Sequence, residues 1–333
     1  LVVKILVYAL GGGLGHLQRA IAISRRLKKS ARVEILTNSP FSAFATNEGL
    51  AVTTLSGQKD EIERSALRAL EKAKADLIVV DTFPAGPTGE LSRFEKTLPP
   101  KRCLIHRRLW SYKVPKPWPA FQFIIDCEPA VATAKELSAA EIARSCQCDD
   151  ICQVGPVLVR SYEELKTREQ ARKTLGLSHD EKILLVYHHG YQKEVEALFR
   201  NCLKAFARVS PKNWRLLLAS LRPLVDESLK ENHISYWPLV ELLLGVDGVI
   251  TAGGYHSWYE AAMSQKAAIV IPMSRKFDLQ LTRVSGATSI VRSPEELEEA
   301  IYELCHSQKK VTRAKHDDNS AKAAQHILAR MKN

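Results

Sequence analysis

The sequence predicts an α/β protein of two Rossmann-like, doubly wound parallel-sheet domains with an interdomain cleft. Three observations carry the prediction. Short apolar runs alternate with helical stretches along the whole chain, the alternation breaks once and restarts, and in each half one apolar run leads straight into a glycine turn that opens a helix. The 333 residues are 45% hydrophobic, enough to bury two cores of ordinary size.

In the first half the apolar runs predict strands at Val2 to Ala9, Val33 to Leu36, Val52 to Leu55, Asp76 to Asp81, Arg102 to His106 and Phe121 to Asp126. Helical stretches separate them near His16 to Lys29, Asp60 to Lys74 and Gly89 to Lys96. Repeated βα units require a parallel sheet wound on both faces. After Cys127 the pattern gives way to a polar, cysteine-rich segment that leads to Gly155-Pro156. Beyond it the strands read Ile183 to Tyr187, Arg215 to Ala219, Ile234 to Trp237, Gly248 to Thr251, Ala268 to Ile271 and Ser289 to Val291. Helices are expected at Gln192 to Ala207, Ser257 to Ser264, Pro294 to His306 and Ala314 to Met331. The domains are therefore placed at 1–154 and 155–333, with the last helix free to pack back on the first domain. Ligands of such sheets sit at the carboxyl ends of the strands, which makes the interdomain cleft the expected site.

Composition narrows the function classes. The longest apolar runs, Leu242 to Ile250 and Ala267 to Met273, are far shorter than the ~20 residues that span a bilayer, and no signal-peptide pattern is read, so a cytoplasmic address is expected. Seven cysteines suit a reducing compartment. Cys146, Cys148 and Cys152 cluster without a paired CxxC spacing or a nearby histidine, so they are read as free thiols, with a zinc site or a Cys146 to Cys152 disulfide as the minor alternatives. The formal charge of +11 is spread through nearly every helix and lacks any RNA-binding or zinc-finger signature. It favours anionic substrates or an anionic membrane surface over nucleic acid.

Chemistry concentrates in Ile5 to His16, where an apolar strand meets Gly11, Gly12, Gly13 and Gly15 and then a histidine. Such a turn lets backbone N–H groups approach a phosphorylated or sugar ligand at a helix N-terminus. It is not a dinucleotide fingerprint. Counting G-x-G-x-x-G from Gly11 puts His16 at the last glycine, counting from Gly13 puts Gln18 there, and the second strand ends in Thr37-Asn38 rather than a carboxylate. No Gly-Lys-Ser/Thr follows, which excludes a P-loop.

The second half carries Val246 to Ser257 with Gly253-Gly254 at its turn, then Glu260-Ala261-Ala262, Ile269 to Pro272 and Asp278-Leu279-Gln280. This run resembles the donor-binding half of GT-B glycosyltransferases, closest to the family of the peptidoglycan N-acetylglucosaminyltransferase and the UDP-glycosyltransferases. Gly-Gly-Gly-Leu-Gly-His resembles the first loop of the same family, so the resemblance spans both domains. It implies a GT-B fold and a metal-independent, inverting transfer of a sugar from a nucleotide diphosphate donor, with UDP as the expected carrier and no cofactor.

The roles follow residue by residue. His16 is the candidate catalytic base, since an imidazole with an ordinary pKa suits proton transfer near neutrality. Gly13, Gly15, Gly190, Gly253, Gly254 and Ser257 are candidates for the donor's phosphates, Glu260 for a ribose diol, Trp237 and the turn around it for the base, and Asp278 and Gln280 for the transferred sugar. Arg160, Arg222, Arg275 and Lys276 are loose candidates for stabilising the leaving diphosphate. The bland alternatives are a helix-opening His16, a solvated Glu260, a surface Gln280 and a capping or packing His256. The chain departs from the family at His188-His189-Gly190, where a Gly-Gly-Ser loop is usual, and at Asp278-Leu279-Gln280, which lacks the paired Asp-Gln. Two other readings use the same site: a UDP-sugar hydrolase of this fold, such as that of pseudaminic acid synthesis, and a non-catalytic nucleotide-sugar-binding partner. The acceptor is not legible. Asn38 to Phe44, Thr82 to Thr88 and Arg107 to Pro119, with Trp110, Tyr112 and Trp118, are where its contacts are expected, and a membrane-surface acceptor stays open.

Overall fold

The computed structural model describes residues 2–110, 116–128, 136–146, 148–278, 280–284, 286–306 and 317–332. The chain divides into two compact units. The first holds Leu1–Val159, Lys276–Leu279 and Asp318–Asn333; the second holds Arg160–Arg275 and Gln280–Asp317.

In the first unit β1 (Lys4–Ala9), β2 (Arg32–Thr37), β3 (Ala51–Thr54), β4 (Leu77–Asp81), β5 (Lys101–His106), β7 (Phe123–Asp126) and β9 (Ile151–Gln153) form one sheet in the order β3-β2-β1-β4-β5-β7-β9. All six neighbouring pairs in it are parallel. The continuous apolar runs of β1 and β4 are buried on both faces, as a sheet covered by helices on each side requires. A two-residue antiparallel ribbon joins β6 (Leu109–Trp110) to β8 (Glu136–Leu137). The helices are α1 (Leu14–Leu27), α2 (Ala43–Asn47), α3 (Lys59–Ala73), α4 (Glu90–Arg93), α5 (Ala139–Cys146) and α11 (Asn319–Lys332). Helix α1 is buried on nearly all sides because α11 covers the face turned away from the sheet. Arg26 pairs with Asp318 at 2.8 Å, and the Ser320 hydroxyl donates to the Leu158 carbonyl at 2.7 Å.

The second unit repeats the plan. Strands β10 (Lys182–Tyr187), β11 (Trp214–Ala219), β12 (His233–Ile234), β13 (Gly248–Thr251), β14 (Ala267–Val270) and β15 (Ser289–Ile290) lie in the order β12-β11-β10-β13-β14-β15, all parallel. They carry α6 (Arg168–Leu175), α7 (Gln192–Val209), α8 (Tyr255–Met263), α9 (Gln280–Arg283) and α10 (Pro294–His306). The core lies between the sheet and helices α7 and α10, with Phe199, Leu198, Leu297 and Ile301 buried against Leu184, Val186 and Ile250.

In both sheets the strand order reverses beside the first strand, between β1 and β4 and between β10 and β13. That is where a ligand crevice opens in doubly wound folds. The two glycine turns follow β1 and β13, so each unit presents one at its own reversal point.

Several sequence expectations are corrected. The break after Cys127 conceals α5 and the edge strand β9, whose three residues are too few to show a period. Helix α6 was not expected; Thr167 caps it by accepting from Gln170 N–H at 3.3 Å. The strand expected at Ile234 to Trp237 is only His233–Ile234, because pairing with β11 ends at Ile234 and Pro238 follows two residues beyond Tyr236. Helix α8 starts at Tyr255 rather than Ser257, directly after the glycines. All seven cysteines are free thiols, with Cys146 and Cys148 buried, which removes the disulfide alternative. Among the described residues no group of three His, Cys, Asp or Glu is placed to hold a metal, and no helix is long and apolar enough to cross a membrane. Tyr112 and the side chain of Trp110 lie outside the described residues.

Candidate functional site

In the first unit, Gly11 and Gly12 donate their N–H groups to one acceptor, Asn38 Oδ1, at 3.0 and 2.8 Å. Asn38 directly follows β2 and ties the glycine turn to the end of that strand, so these two N–H groups hold the turn in shape rather than face a ligand. Gly13 is the N-cap of α1, has no side-chain acceptor, and no acidic residue occupies the first turn. A helix start left in this state keeps its positive end available to an anion or a sugar oxygen.

His16 is the third residue of α1, in its first turn. Its Nδ1 lies 2.6 Å from Asp81 Oδ2 at the carboxyl end of β4, and its side chain is 13% exposed. Asp81 also accepts from Arg19 Nε at 2.8 Å and Nη2 at 2.7 Å, and from the Thr82 hydroxyl at 3.0 Å. Burial works against ionisation of Asp81, but the Arg19 guanidinium and the bond from His16 outweigh it and hold the carboxyl well below the usual carboxylate range. An ionised Asp81 fixes the His16 proton on Nδ1, which leaves the Nε2 lone pair as the proton acceptor. Burial lowers the His16 pKa, and Arg19 and Arg107 lower it further against the pull of Asp81, so His16 is a neutral imidazole at neutral pH. The arrangement suits a general base.

In the second unit the reversal point joins the ends of β10 and β13. Tyr187 is the register partner of Thr251, which brings His188, His189 and Gly190 beside Ala252, Gly253 and Gly254. Gly254 is the N-cap of α8, again without a side-chain acceptor or an acidic first turn. Gly253 is needed for packing: a Cβ there would lie 2.8 Å from Gln280 Cβ. Its carbonyl accepts from Arg283 Nη1 at 3.0 Å. The Ser257 hydroxyl donates within the turn, to the Ala252 carbonyl at 3.2 Å and the Gly254 carbonyl at 3.3 Å. The Tyr187 hydroxyl donates to the Ser257 carbonyl and fastens α8 to the sheet.

Glu260 is 3% exposed and its Oε1 has no hydrogen-bond partner. Burial pushes its pKa up to about 8. The solvated alternative is thereby excluded. A buried carboxyl oxygen left without a donor is costly unless a ligand supplies one. His189 Nδ1 also lacks a hydrogen-bond partner, while His188 Nε2 lies 3.6 Å from Glu194 Oε2, too far for a proper hydrogen bond. Burial lowers these imidazoles to about 4 (His188, against the pull of Glu194) and about 3 (His189), so both are neutral.

The other expected residues are placed as follows. Gln280 is buried and its Oε1 accepts from Met273 N–H at 2.8 Å, which excludes the surface alternative. Asp278, grouped with the first unit, accepts from Arg107 at 3.0 Å. The Gly190 carbonyl accepts from Arg222 Nε at 2.8 Å. Trp237 is half-buried just after β12, and His256 is buried with its ring 5.1 Å from Tyr255. The loose cation candidates all have internal partners. Arg160 pairs with Glu241 at 2.6 Å, Arg275 with Glu194 at 2.6 Å, and Lys276 lies 4.9 Å from the Phe277 ring. Sequence reasoning did not single out Asp81, Arg19 or Asn38. The available signal was polar residues ending two apolar strands at the carboxyl edge, and an arginine three residues beyond His16.

No family model matches the chain, and no curated protein matches it. Solved structures do. The chain is similar to the glycotransferase of kitacinnamycin (16% identity over 99% of each chain, TM-score 0.67) and to the calicheamicin glycosyltransferase CalG4 (16% identity over 99% of each chain, TM-score 0.60). It is equally similar to the UDP-GlcNAc 2-epimerase of Neisseria meningitidis bound to UDP-GlcNAc (16% identity over 99% of this chain and 100% of that one, TM-score 0.67). With two parallel sheets in the observed order, the chain has the GT-B fold.

Proposed function

We propose that the protein is a glycosyltransferase that moves a sugar from a nucleotide diphosphate donor, with UDP as the expected carrier, to a hydroxyl acceptor by a metal-independent, inverting mechanism. The observation that carries the proposal is the His16–Asp81 pair at the reversal point of the first sheet, a neutral imidazole with its lone pair on Nε2. His16 takes the acceptor proton as the acceptor oxygen attacks the anomeric carbon. The bond to the diphosphate breaks on the opposite face, and the leaving group carries away the electron pair.

The second unit holds the donor. The uncapped start of α8 receives the diphosphate, Glu260 accepts from the ribose hydroxyls, and Gln280 contacts the sugar. Arg275 is paired with Glu194, whereas Arg222 and Arg283 donate to the Gly190 and Gly253 carbonyls, neutral acceptors that do not cancel their charge. The helix end therefore acts with these guanidiniums as counter-charge for the leaving diphosphate. Solved structures of this fold include one described as a UDP co-structure, one bound to UDP-GlcNAc and one complexed with thymidine diphosphate, which supports a nucleoside diphosphate as the shared ligand.

One second reading is a UDP-sugar hydrolase, in which water replaces the acceptor; solved structures of this fold include UDP-GlcNAc 2-epimerases as well as glycosyltransferases, so the fold does not by itself require transfer. One experiment separates the possibilities. The wild type, His16→Ala and Glu260→Ala are incubated with a panel of UDP-sugars, and thermal stabilisation by UDP and release of UDP are both measured. Transfer predicts stabilisation lost in Glu260→Ala but kept in His16→Ala, and UDP release that needs an added acceptor and is lost in His16→Ala. Release without an acceptor points to the second reading. Absence of stabilisation by any nucleotide overturns the donor assignment.

A further inference from the structure

Asp81 serves two partners at once. Arg19 lies along its carboxylate with Nε 2.8 Å from Oδ1 and Nη2 2.7 Å from Oδ2, and His16 Nδ1 meets the same Oδ2 at 2.6 Å. Arg19 Nη2 also reaches the Thr82 hydroxyl at 2.7 Å. The side chains of Arg19 and Asp81 are each 2% exposed, so water does not screen this geometry.

A buried carboxylate facing one imidazole, with nothing else nearby, draws a proton onto the ring: the pair is then neutral overall, whereas carboxylate plus neutral imidazole leaves a net buried charge. To the extent that the ring keeps that proton, it has no lone pair to offer a substrate. Here the guanidinium has already balanced the carboxylate. A proton added to His16 would give the cluster a net positive charge in a buried place, with Arg107 adding to the repulsion.

We propose that Arg19 is the positioning residue that makes this pair a base: by neutralising Asp81 it keeps His16 an uncharged imidazole with its Nε2 lone pair available, while Asp81 still orients the ring. The groups that face His16 agree with this. They are Asp81 and Thr82 at the end of β4, Arg19 on its own helix, Arg107 after β5, and the apolar Phe83 ring at 5.4 Å. Arg107 is itself paired with Asp278 at 3.0 Å, so the charges that meet His16 most directly are those of Asp81 and Arg19. That His16 serves an acceptor rests on the proposed transfer; the protonation state of the cluster does not.

The test reads the His16 ring directly, by ¹⁵N-resolved NMR titration of the whole protein. In the wild type, His16 is neutral at pH 7 with its proton on Nδ1. In Arg19→Gln, which removes the charge, its titration moves up by one pH unit or more, a tenfold or greater rise in the protonated fraction at fixed pH. In Arg19→Lys, which keeps the charge, it stays near the wild-type position. An unchanged titration in Arg19→Gln, or an imidazolium in the wild type at pH 7, overturns the proposal, and the second observation needs no variant to fold. UDP release is followed over the same pH range. If the titrations behave as stated while the wild type releases no UDP from any donor, the transfer reading fails and the role of Arg19 stands.

Discussion

Gly11 and His16 occupy the same small space: a Cβ built on Gly11 would lie 2.3 Å from Cδ2 and 2.4 Å from Nε2 of the His16 ring. Gly11 also has φ of +156°, a conformation that side-chain-bearing residues rarely adopt. The glycine turn therefore shapes the seat of the base as well as the path of the chain.

Gly11→Ala is expected to displace the imidazole from Asp81 and to strain the backbone, lowering stability by about 1–3 kcal/mol. Activity should fall further than this loss accounts for. Thermal melting and UDP release together check it; a variant with full turnover would show that the ring need not lie against Gly11.

Asp81→Asn keeps the size of the side chain but removes the anion that fixes the His16 tautomer. UDP release should drop by about 10²–10⁴-fold, the usual worth of a positioned base. The affinity for UDP, assigned to the second unit, should stay within about twofold. Steady-state kinetics and calorimetric titration decide this, and parallel losses in both would mean that Asp81 supports the fold rather than the base.

Much of the fold could be read from the sequence because its strands are apolar on both faces and end at glycines, prolines or polar turns. The glycine turns were legible for the same reason, and so was the place of Glu260 on the helix that follows the second of them, although that helix starts two residues earlier than expected. Asp81 was not, since a carboxylate that ends a strand looks alike whether or not a histidine 65 positions earlier in the chain bonds to it. Positive charge was legible, but its commitments were not: Arg275 looks free until Glu194 appears 2.6 Å away. The burial of Glu260 depends on a sheet assembled from strands far apart in sequence, which local periodicity does not report.

Tyr8 and Glu90 test the core beneath the first site. The Tyr8 hydroxyl donates to Glu90 Oε1 at 2.7 Å in a buried setting, while Thr88 N–H donates to the other oxygen at 2.9 Å and the Thr88 hydroxyl lies between Glu90 Oε2 at 2.8 Å and Glu63 Oε1 at 2.6 Å. Tyr8→Phe leaves a buried carboxylate oxygen without a donor and is expected to cost about 1–3 kcal/mol. Chemical denaturation measures it, and a loss below about 0.5 kcal/mol would mean that water replaces the hydroxyl.

Acid should weaken the second unit. His188 and His189 are lowered to about 4 and about 3, so their stabilising contribution is complete above the ordinary histidine range and is lost as pH falls from about 6.5 toward those values. At pH 5 each imidazole accounts for up to about 2 kcal/mol of lost stability. Melting temperatures between pH 7.5 and 5 should fall less in His189→Phe than in the wild type; identical pH slopes would mean that His189 reaches solvent.

Glu260 makes the opposite prediction, and it links stability to binding. With its pKa raised from 4.5 to about 8, the folded protein holds a proton that the unfolded chain has already released. Stability should then decline as pH rises from about 4.5 to about 8, by up to about 1.4 kcal/mol per unit, and Glu260→Gln should remove that decline. Ribose hydroxyls that donate to the carboxyl favour its charged form, so nucleotide binding should expel the proton. UDP affinity is therefore expected to weaken below about pH 8, approaching tenfold per unit, and the binding heat should depend on the ionisation enthalpy of the buffer. Glu260→Gln should bind more weakly and lack this part of both dependences. Calorimetric titration of the two proteins in two buffers of different ionisation enthalpy supplies the comparison. A wild type that binds UDP tightly with no proton released would place the ribose elsewhere and return Glu260 to the core of the second unit.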